Sequence, residues 1–259
     1  MRTISFATQI PGKKLGKDVG ERGDFVVSII CCTIRQNYLE NVFQNFESQD
    51  WKEKELIIVL NKDDMDKSKW ENRAKLSSNA TVYQLPEKNT LGECLNFAIA
   101  KAKYSIIAKF DDDDYYAPQY VRRSMETLSE TKADVVGKRT VYMYFEDEKI
   151  LAVHKPGREN KFVKQGLKGA TLFFKKELCR KIIFPKLNLG EDTYFLRECV
   201  RNGYKLFSAD KNDYVVIRTS KLGHHTWNLS NQTLLKKSSI IGIMENFKPL
   251  IQSERFEKD

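Results

Sequence analysis

The chain has few cysteines, and their spacing suits neither a disulfide framework nor a metal cluster. Five cysteines occur in 259 residues, and no pair has the CxxC spacing. Cys31, Cys32 and Cys94 lie in or beside apolar stretches, where a thiol behaves as a small hydrophobic side chain. A disulfide-stabilised secreted fold is therefore not expected, and the composition fits a reducing cytoplasm.

Long apolar runs are also missing. The longest nearly apolar run, Phe25 to Cys32, has eight residues, whereas a helix needs roughly 20 to span a bilayer. The N-terminus carries no apolar core of the kind found in signal peptides. We therefore expect a cytoplasmic protein, with peripheral contact at the inner face of a membrane left open.

Basic residues are in excess but are not concentrated in an arginine-rich arm. The 44 Lys and Arg outnumber the 35 Asp and Glu, and the net charge is +9. Such an excess favours an acidic partner, and a nucleotide, an anionic polymer and a membrane surface all qualify. Because no dense basic arm is present, we do not expect nucleic-acid binding. Hydrophobic residues make up 41% of the chain, enough for a sizeable core.

The first half alternates short apolar runs with segments of helical periodicity. We expect strands at 25–32, 55–60, 81–85 and 105–110, and helices at 37–49 and 91–102. This alternation predicts an α/β fold with a mostly parallel central sheet flanked by helices. Polar groups follow three of these strands, at 33–35, 61–64 and 111–114, the ends where such sheets bind ligands.

The second half favours shorter, partly antiparallel elements. Segments 135–144 and 149–154 flank an acidic turn and predict a hairpin. We further expect a strand at 170–175, a helix at 192–201 ended by Asn202-Gly203, strands at 204–208 and 213–218, and a closing helix at 230–245. Residues 1–24 are interpreted as a peripheral lead-in, 25–245 as a single domain and 246–259 as a charged tail.

Four consecutive aspartates, Asp111 to Asp114, follow an apolar strand. Adjacent carboxylates raise one another's pKa unless a cation or strong donors compensate. In extended geometry Asp111 and Asp113 project to the same side, and two such oxygen ligands suit Mg²⁺ or Mn²⁺. The alternative is a solvated acidic turn in which Asp114 caps a helix starting near Pro118.

Gly190, Glu191 and Asp192 open a predicted helix. The helix dipole favours an ionised carboxylate in the first turn, and such a carboxylate can act as a general base. Acidic first turns are common without catalysis, so this motif alone leaves both interpretations open.

A late polar segment contains His224, His225 and Trp227. A neutral imidazole could complete a metal shell begun by Asp113, and the Trp could stack on a sugar ring. An ordinary loop with one packed Trp is the alternative.

Smaller features near strand ends are compatible with ligand contacts. Thr33 and Arg35 are placed to meet a base or phosphate, and Lys109 is either a ligand contact or a charge-balancing neighbour. Gly92 and Asn96 open a helix, where packing explains them as well as binding does.

From about residue 25 to 227 the chain resembles family 2 glycosyltransferases of the GT-A fold. Val26–Arg35 is similar to the family's nucleotide-binding strand and loop, and Leu56–Asp64 to its second strand. Asn61 stands where that strand often carries a base-recognising Asp. Lys109–Pro118 resembles the DxD motif with its aromatic-Pro turn, and Gly190–Asp192 resembles the ED motif.

Other parts of the resemblance are weaker. Asn89–Asn96 is similar to the segment before the metal strand, although Leu95 replaces a frequent Arg. Lys168–Thr171 resembles the acceptor-side loop. The His-Thr-Trp segment at 225–227 is similar to a late metal-binding or lid segment.

The resemblance implies an inverting transferase that uses Mn²⁺ or Mg²⁺ and a nucleotide-sugar donor, with UDP the first choice and dTDP or GDP as alternatives. It places the donor in residues 25–118 and the acceptor, a carbohydrate, anionic polymer, lipid-linked sugar or protein, in 119–245. The implied catalytic residues are Asp192, as base, and Glu191. The implied metal ligands are Asp113, Asp111, His225 and His224. The implied donor contacts are Thr33, Arg35, Asn61, Asp63, Asn96, Lys109, Asp111 and Asp112.

Two other functions compete with this one. A nucleotidyltransferase-like enzyme also places metal and carboxylates beneath a nucleotide, but the first strand is not followed by a glycine-rich, basic phosphate loop. A non-catalytic binding module would keep the fold without turnover, and the acidic residues at 111, 113, 191 and 192 argue against it.

Overall fold

The computed structural model of the chain describes residues 26–219 and 229–252. Within these ranges the strands are β1 (Val27–Thr33), β2 (Lys54–Leu60), β3 (Ala80–Gln84), β4 (Ile106–Lys109), β5 (Tyr115–Tyr116), β6 (Val135–Lys138), β7 (Val141–Phe145), β8 (Ile150–His154), β9 (Lys161–Val163), β10 (Phe173–Lys175), β11 (Leu206–Ala209), β12 (Tyr214–Arg218) and β13 (Ser238–Ile243). The α-helices there are α1 (Leu39–Glu47), α2 (Lys67–Lys75), α3 (Leu91–Lys101), α4 (Tyr120–Thr131), α5 (Glu191–Arg201), α6 (Asn231–Leu235) and α7 (Lys248–Gln252).

An eight-stranded sheet forms the centre of the fold, in the order β3-β2-β1-β4-β10-β6-β11-β9. The first four strands are parallel, as the alternating pattern predicts. Beyond them β10 runs antiparallel to both β4 and β6. The α/β fold is confirmed, and its sheet is mixed because β10 enters in the opposite direction.

Helices cover both faces of this sheet, because its central strands are apolar on both sides. On β1, Ile29 belongs to one core and Ile30 to the other. Helix α1 packs Phe43 and Phe46 on the first face. On the second face, α3 and α5 bury an apolar set that includes Leu95, Ala98, Ile99, Phe195, Leu196 and Cys199.

A second sheet has five strands in the order β13-β8-β7-β12-β5. The predicted hairpin is present as β7 and β8, which pair antiparallel from Val141↔His154 to Phe145↔Ile150. The short β5 pairs with β12 through Tyr116↔Tyr214. Because β5 directly follows the acidic loop 111–114, this sheet holds the loop from its second side.

Several sequence-based boundaries are corrected by the structure. The expected closing helix at 230–245 is wrong: α6 ends at Leu235, and Ser238–Ile243 forms β13, paired with β8. Its β-branched isoleucines suit a strand, and the pairing overrides the helical spacing. The charged tail starts later than 246, because Phe247 and Ile251 are buried against Tyr115 and Tyr144.

Other differences concern elements whose signal in the sequence was weak. Helix α2 was not predicted, since it buries only Trp70 and Ala74. The strand expected over 135–144 is divided between β6 and β7 in different sheets. The strand expected from 170 begins with a 3₁₀ turn, Gly169–Thr171, before β10. None of the helices in 26–219 and 229–252 has the length and apolar character needed to cross a bilayer.

Candidate active site

The sheet brings the polar ends of β1 and β4 to one edge. These strands are parallel neighbours with Ile30 opposite Lys109, and the Phe110 amide donates to the Ile30 carbonyl at 3.0 Å. Thr33 and Arg35 therefore emerge beside the acidic loop 111–114. Residues far apart in the chain meet here because parallel strands end in register.

Arg35 and Thr33 both donate hydrogen bonds to Asp112, the second aspartate of the loop. The Thr33 hydroxyl donates to the buried Asp112, and the Arg35 guanidinium donates to both its oxygens, with Nε at 3.0 Å from Oδ2. Another nitrogen of the same guanidinium, Nη1, lies 2.9 Å from Asp113 Oδ2. Burial raises the pKa of Asp112 while Arg35 opposes that shift. Arg35 thus compensates two adjacent carboxylates, as the crowding of four aspartates requires.

Asp114 is turned away from the loop opening. Its carboxylate accepts a hydrogen bond from the Tyr214 hydroxyl and one from the Ile217 amide at 3.2 Å. Burial is the main cause that raises its pKa well above the ordinary range. The alternative of Asp114 as a helix cap is wrong, because Gln119 is the N-cap of α4 and no side chain caps it.

Two asparagines of α1 hold the backbone of the acidic loop. Asn41 Nδ2 donates to the carbonyls of Asp112 at 2.7 Å and Asp114 at 3.0 Å. Asn45 Nδ2 donates to the Asp114 carbonyl at 2.9 Å, and its Oδ1 accepts from the Tyr116 amide at 3.1 Å. Neither asparagine was predicted from the sequence. Asn45 was detectable, since it is a polar residue on the apolar face of the predicted helix.

Asp111, the first aspartate of the loop, pairs with Lys109. The Lys109 side chain is buried, whereas that of Asp111 is 38% exposed. Burial opposes the charge on Lys109, but Asp111 outweighs it and raises the pKa of the lysine. Glu191 and Asp192 act on Lys109 in the same direction. The start of α5 therefore faces the acidic loop across Lys109.

Tyr116 connects the acidic loop to the 3₁₀ turn at 169–171. Its hydroxyl accepts from the Asp111 amide at 2.8 Å and donates to the Ala170 carbonyl at 2.7 Å. Its ring stacks on Phe110 with centroids 3.7 Å apart. One buried tyrosine thus sets the spacing between the two segments.

Asp192 lies against that turn. A Cβ added to Gly169 would come within 2.5 Å of Asp192 Oδ2 and 3.1 Å of its Cβ, so this glycine makes room for the carboxylate. Asp192 Oδ1 accepts from the Thr193 amide at 2.6 Å. Glu191 is buried, and burial raises its pKa despite the opposing charge of Lys109.

Asp111 and Asp113 are the carboxylates of the loop that remain accessible, with side-chain exposures of 38% and 12%. Two hard oxygen donors at this edge of the sheet fit Mg²⁺ or Mn²⁺, which take further ligands from substrate phosphates. Within the described ranges no group of three or more His, Cys, Asp or Glu side chains is arranged to hold a metal. The predicted His224, His225 and Trp227 lie outside those ranges.

Residues 28–185, more than half of the chain, match the family described as Glycosyl transferase family 2. The chain belongs to this family. A relative in Escherichia coli, "O-antigen biosynthesis glycosyltransferase WbnJ", is 27% identical over 163 residues, which cover 60% of this chain and 64% of WbnJ.

Solved structures confirm the GT-A fold. S. aureus TarS 1-349 in complex with UDP-GlcNAc superposes with a TM-score of 0.60 at 18% identity, covering 79% of this chain and 61% of TarS 1-349. The mannosyltransferase PcManGT from Pyrobaculum calidifontis, in complex with GDP-Man and Mn²⁺, has a TM-score of 0.57 at 17% identity, covering 90% and 70%. The chain thus spans less than two thirds of WbnJ and of TarS 1-349.

Two further predicted family positions lie at the same sheet edge but bond to the backbone. The backbone amide of Asn61 donates to the Thr33 carbonyl at 2.8 Å, and its side-chain Nδ2 donates to the Pro86 carbonyl at 2.9 Å. Asp63 Oδ1 accepts from the Glu87 amide at 3.1 Å. Both side chains therefore tie the loop after β2 to the loop after β3.

Asn96 and Gly92 serve packing. The Asn96 side chain exchanges two hydrogen bonds with the backbone of Phe184, at 2.8 and 3.0 Å. A Cβ on Gly92 would collide with the Pro185 carbonyl. These contacts pack α3 against the segment that leads into α5. For Gly92 and Asn96 they favour the packing interpretation over ligand binding.

Arg218, which the sequence analysis did not single out, is buried at the end of β12. Burial lowers the pKa of its guanidinium, and Asp113 and Asp114 oppose that shift. A second arginine, which unlike Arg35 is buried, therefore acts electrostatically on the acidic loop from the five-stranded sheet.

Proposed function

We propose that this chain transfers a sugar from a nucleoside diphosphate sugar, UDP being the first choice of carrier, to an acceptor hydroxyl with inversion. The observation that supports it is the meeting of the acidic loop 111–114 and the start of α5 at the 3₁₀ turn 169–171: Tyr116 joins Asp111 to Ala170, and Asp192 lies against Gly169. GT-A neighbours captured with UDP-GlcNAc and with GDP-Man and Mn²⁺ support the class of donor.

The cofactor in this proposal is Mn²⁺ or Mg²⁺, held by Asp113 and Asp111 and by oxygens of the donor diphosphate. When bound, the ion neutralises charge that develops on the leaving nucleoside diphosphate. Arg35 holds Asp112 and Asp113 in place, because its guanidinium contacts both. Lys109 orients Asp111 in the same way.

Asp192 is the general base of the proposal. It stands in the first turn of α5, beside Gly169. It removes the proton from the acceptor hydroxyl as that oxygen attacks the anomeric carbon from the face opposite the diphosphate. Glu191 lies behind it, buried near Lys109, and sets the local charge rather than contacting the acceptor.

Donor recognition is proposed for the ends of β1 and β2, with the donor side in residues 25–118 and the acceptor side in 119–245. Thr33 and Arg35 border the diphosphate, and Asn61 and Asp63 border the base. Asn61 stands where Asp is frequent, and the carboxamide oxygen of its side chain is the proposed contact with the base, since its nitrogen donates to Pro86.

An Asp113→Asn variant tests the metal assignment. Carboxamides bind hard cations weakly, so we expect Mn²⁺-dependent release of UDP from UDP-sugars to fall at least about 100-fold. The thermal shift produced by UDP with Mn²⁺ should disappear as well. A panel of UDP-, dTDP- and GDP-sugars identifies the carrier in the same assay.

The matched control is Asp50→Asn, since Asp50 is also paired with an arginine, Arg122, at 3.0 Å but lies outside the site. It should leave both readouts unchanged. Full metal-dependent turnover by Asp113→Asn would contradict the assignment, and absence of any nucleotide-dependent shift in the wild type would contradict the proposed function.

A further inference from the structure

The segment that leads to the 3₁₀ turn at 169–171 is strongly basic. Residues 155–168 contain five Lys and Arg against a single Glu. The carboxylate of Glu159 pairs with Lys211: it accepts from the Lys211 amide at 2.9 Å and lies 3.6 Å from the Lys211 ammonium. The positive charge of the segment is therefore not offset from within it. Its basic residues are Lys155, Arg158, Lys161, Lys164 and Lys168.

The five-stranded sheet adds a further lysine. Strand β13 begins beside the end of β8, where the Lys155 amide contacts the Lys237 carbonyl at 3.5 Å. His154, the buried last residue of β8, contacts Ser238 Oγ at 3.2 Å through Nδ1. Burial, followed by the charges of Lys168, Lys155 and Lys237, lowers the pKa of His154 to about 4. The Lys155 carbonyl accepts from the Thr140 hydroxyl at 2.7 Å, and the Lys168 amide donates to the Lys138 carbonyl at 2.9 Å. Lys155, Lys168 and Lys237 therefore converge around residues 138–140 and the start of β13. We call them the lysine cluster.

This cluster adjoins the proposed base. Lys168 directly precedes Gly169, the glycine that leaves room for Asp192. Burial and then Lys155 lower the pKa of Lys168 to about 8, against the opposing charges of Asp192 and Asp114. Crowding of like charges costs free energy unless an anion is bound nearby.

We propose that the lysine cluster of Lys155, Lys168 and Lys237 binds a phosphate group of the acceptor, next to the hydroxyl that Asp192 activates. This inference rests on the proposed function and names its acceptor class: a phosphorylated glycan or a glycosyl phosphate. Ammonium groups on flexible stems bind phosphate as point charges. The donor diphosphate has a different proposed site, formed by Asp113, Asp111 and Arg35 after the ends of β1 and β4.

Isothermal titration with glucose 1-phosphate and with methyl glucoside tests the proposal, in the presence of saturating UDP and Mn²⁺. We expect the phosphate ester to bind with a salt-dependent affinity and the neutral glycoside not to bind. Lys155→Gln and Lys237→Gln should each weaken glucose 1-phosphate about tenfold, because each removes a charged hydrogen-bond donor. Both lysines are exposed, so folding is not at risk.

Lys132→Gln is the matched control, because Lys132 is exposed and has a backbone φ of 53° against 52° for Lys155. It should bind as the wild type does. Equal binding of the ester and the glycoside, or equal weakening by Lys132→Gln, would overturn the proposal. Capture by phosphatidylglycerol vesicles that needs Lys155 and Lys237, without glucose 1-phosphate binding, would also overturn it and assign the cluster to a membrane surface.

The UDP titration with Mn²⁺ precedes each measurement and separates the two failures. Intact UDP binding without phosphate binding refutes only the acceptor class. Missing UDP binding refutes the proposed function, while a glucose 1-phosphate affinity that depends on Lys155 and Lys237 still supports the cluster as a phosphate site.

Discussion

The two sides of the proposed site are built differently. On the proposed donor side, the acidic loop is held by Arg35 just after β1, by α1 through Asn41 and Asn45, and by β12 through Tyr214. On the proposed acceptor side, Lys155 and Lys237 are exposed, and the neighbouring β13 exposes Ile240 and Ile243 to 61% and 79%.

This difference separates a preorganised region from an adaptable one. Charges that stabilise a leaving diphosphate must be placed before reaction, and buried hydrogen bonds keep them there. Exposed lysines on strand ends tolerate substitution, so an acceptor site of this kind can change its ligand without disturbing the donor side.

The largest effect that separates the two sides is expected for Asp192→Asn. An amide cannot accept the acceptor proton, so hydrolysis of the donor sugar should fall about 10²- to 10⁴-fold. Binding of UDP with Mn²⁺ should stay unchanged, in contrast to Asp113→Asn. UDP release and isothermal titration measure the two quantities.

Glu198→Gln, on the same helix and partly exposed, is the control and should keep full activity. The separation of donor and base functions would fail if Asp192→Asn lost UDP affinity in parallel with turnover.

An intermediate effect is expected for Gly169→Ala. The added Cβ would lie 2.5 Å from Asp192 Oδ2, so the carboxylate must move. A displacement of this size should lower kcat roughly 10- to 100-fold, while UDP binding is retained. Steady-state kinetics with circular dichroism as a folding check measures it.

Gly242→Ala is the companion variant, because its nearest neighbour, Met244 Cε, is 3.8 Å from the added Cβ. Unchanged kcat in Gly169→Ala would show that the position of Asp192 is not set by the turn.

The smallest of these effects is a loss of stability on replacing Tyr116, the tyrosine that joins the acidic loop to the 3₁₀ turn. Tyr116→Phe leaves the Asp111 amide and the Ala170 carbonyl without their shared hydroxyl. We expect the free energy of unfolding to fall by about 1–3 kcal/mol. Urea denaturation measures it.

The adjacent Tyr115→Phe removes a hydroxyl that accepts from the exposed Gln252 at 2.6 Å. It should cost less than about 1 kcal/mol. Equal losses in the two variants would contradict the joining role of Tyr116.

The limits of sequence-based prediction follow the strength of the local pattern. β1 and β2 are continuous apolar runs, and α1 has a clear apolar stripe, so these elements were predicted close to their observed bounds. Helix α2 buries only two residues and carries almost no periodicity. β13 was mistaken for a helix because its strand state depends on pairing with the distant β8.

By itself, the sequence determined the α/β fold, the family and the acidic motifs at 111–114 and 191–192, because apolar periodicity and runs of carboxylates are local properties of the chain. Only the tertiary structure divided the four aspartates. Asp112 is held by Arg35, and Asp114 by Tyr214, 100 residues further along the chain. Asp111 and Asp113 are the two aspartates whose side chains stay partly exposed. A hydrogen-bond partner is chosen by proximity in space, and spacing along the chain does not encode it.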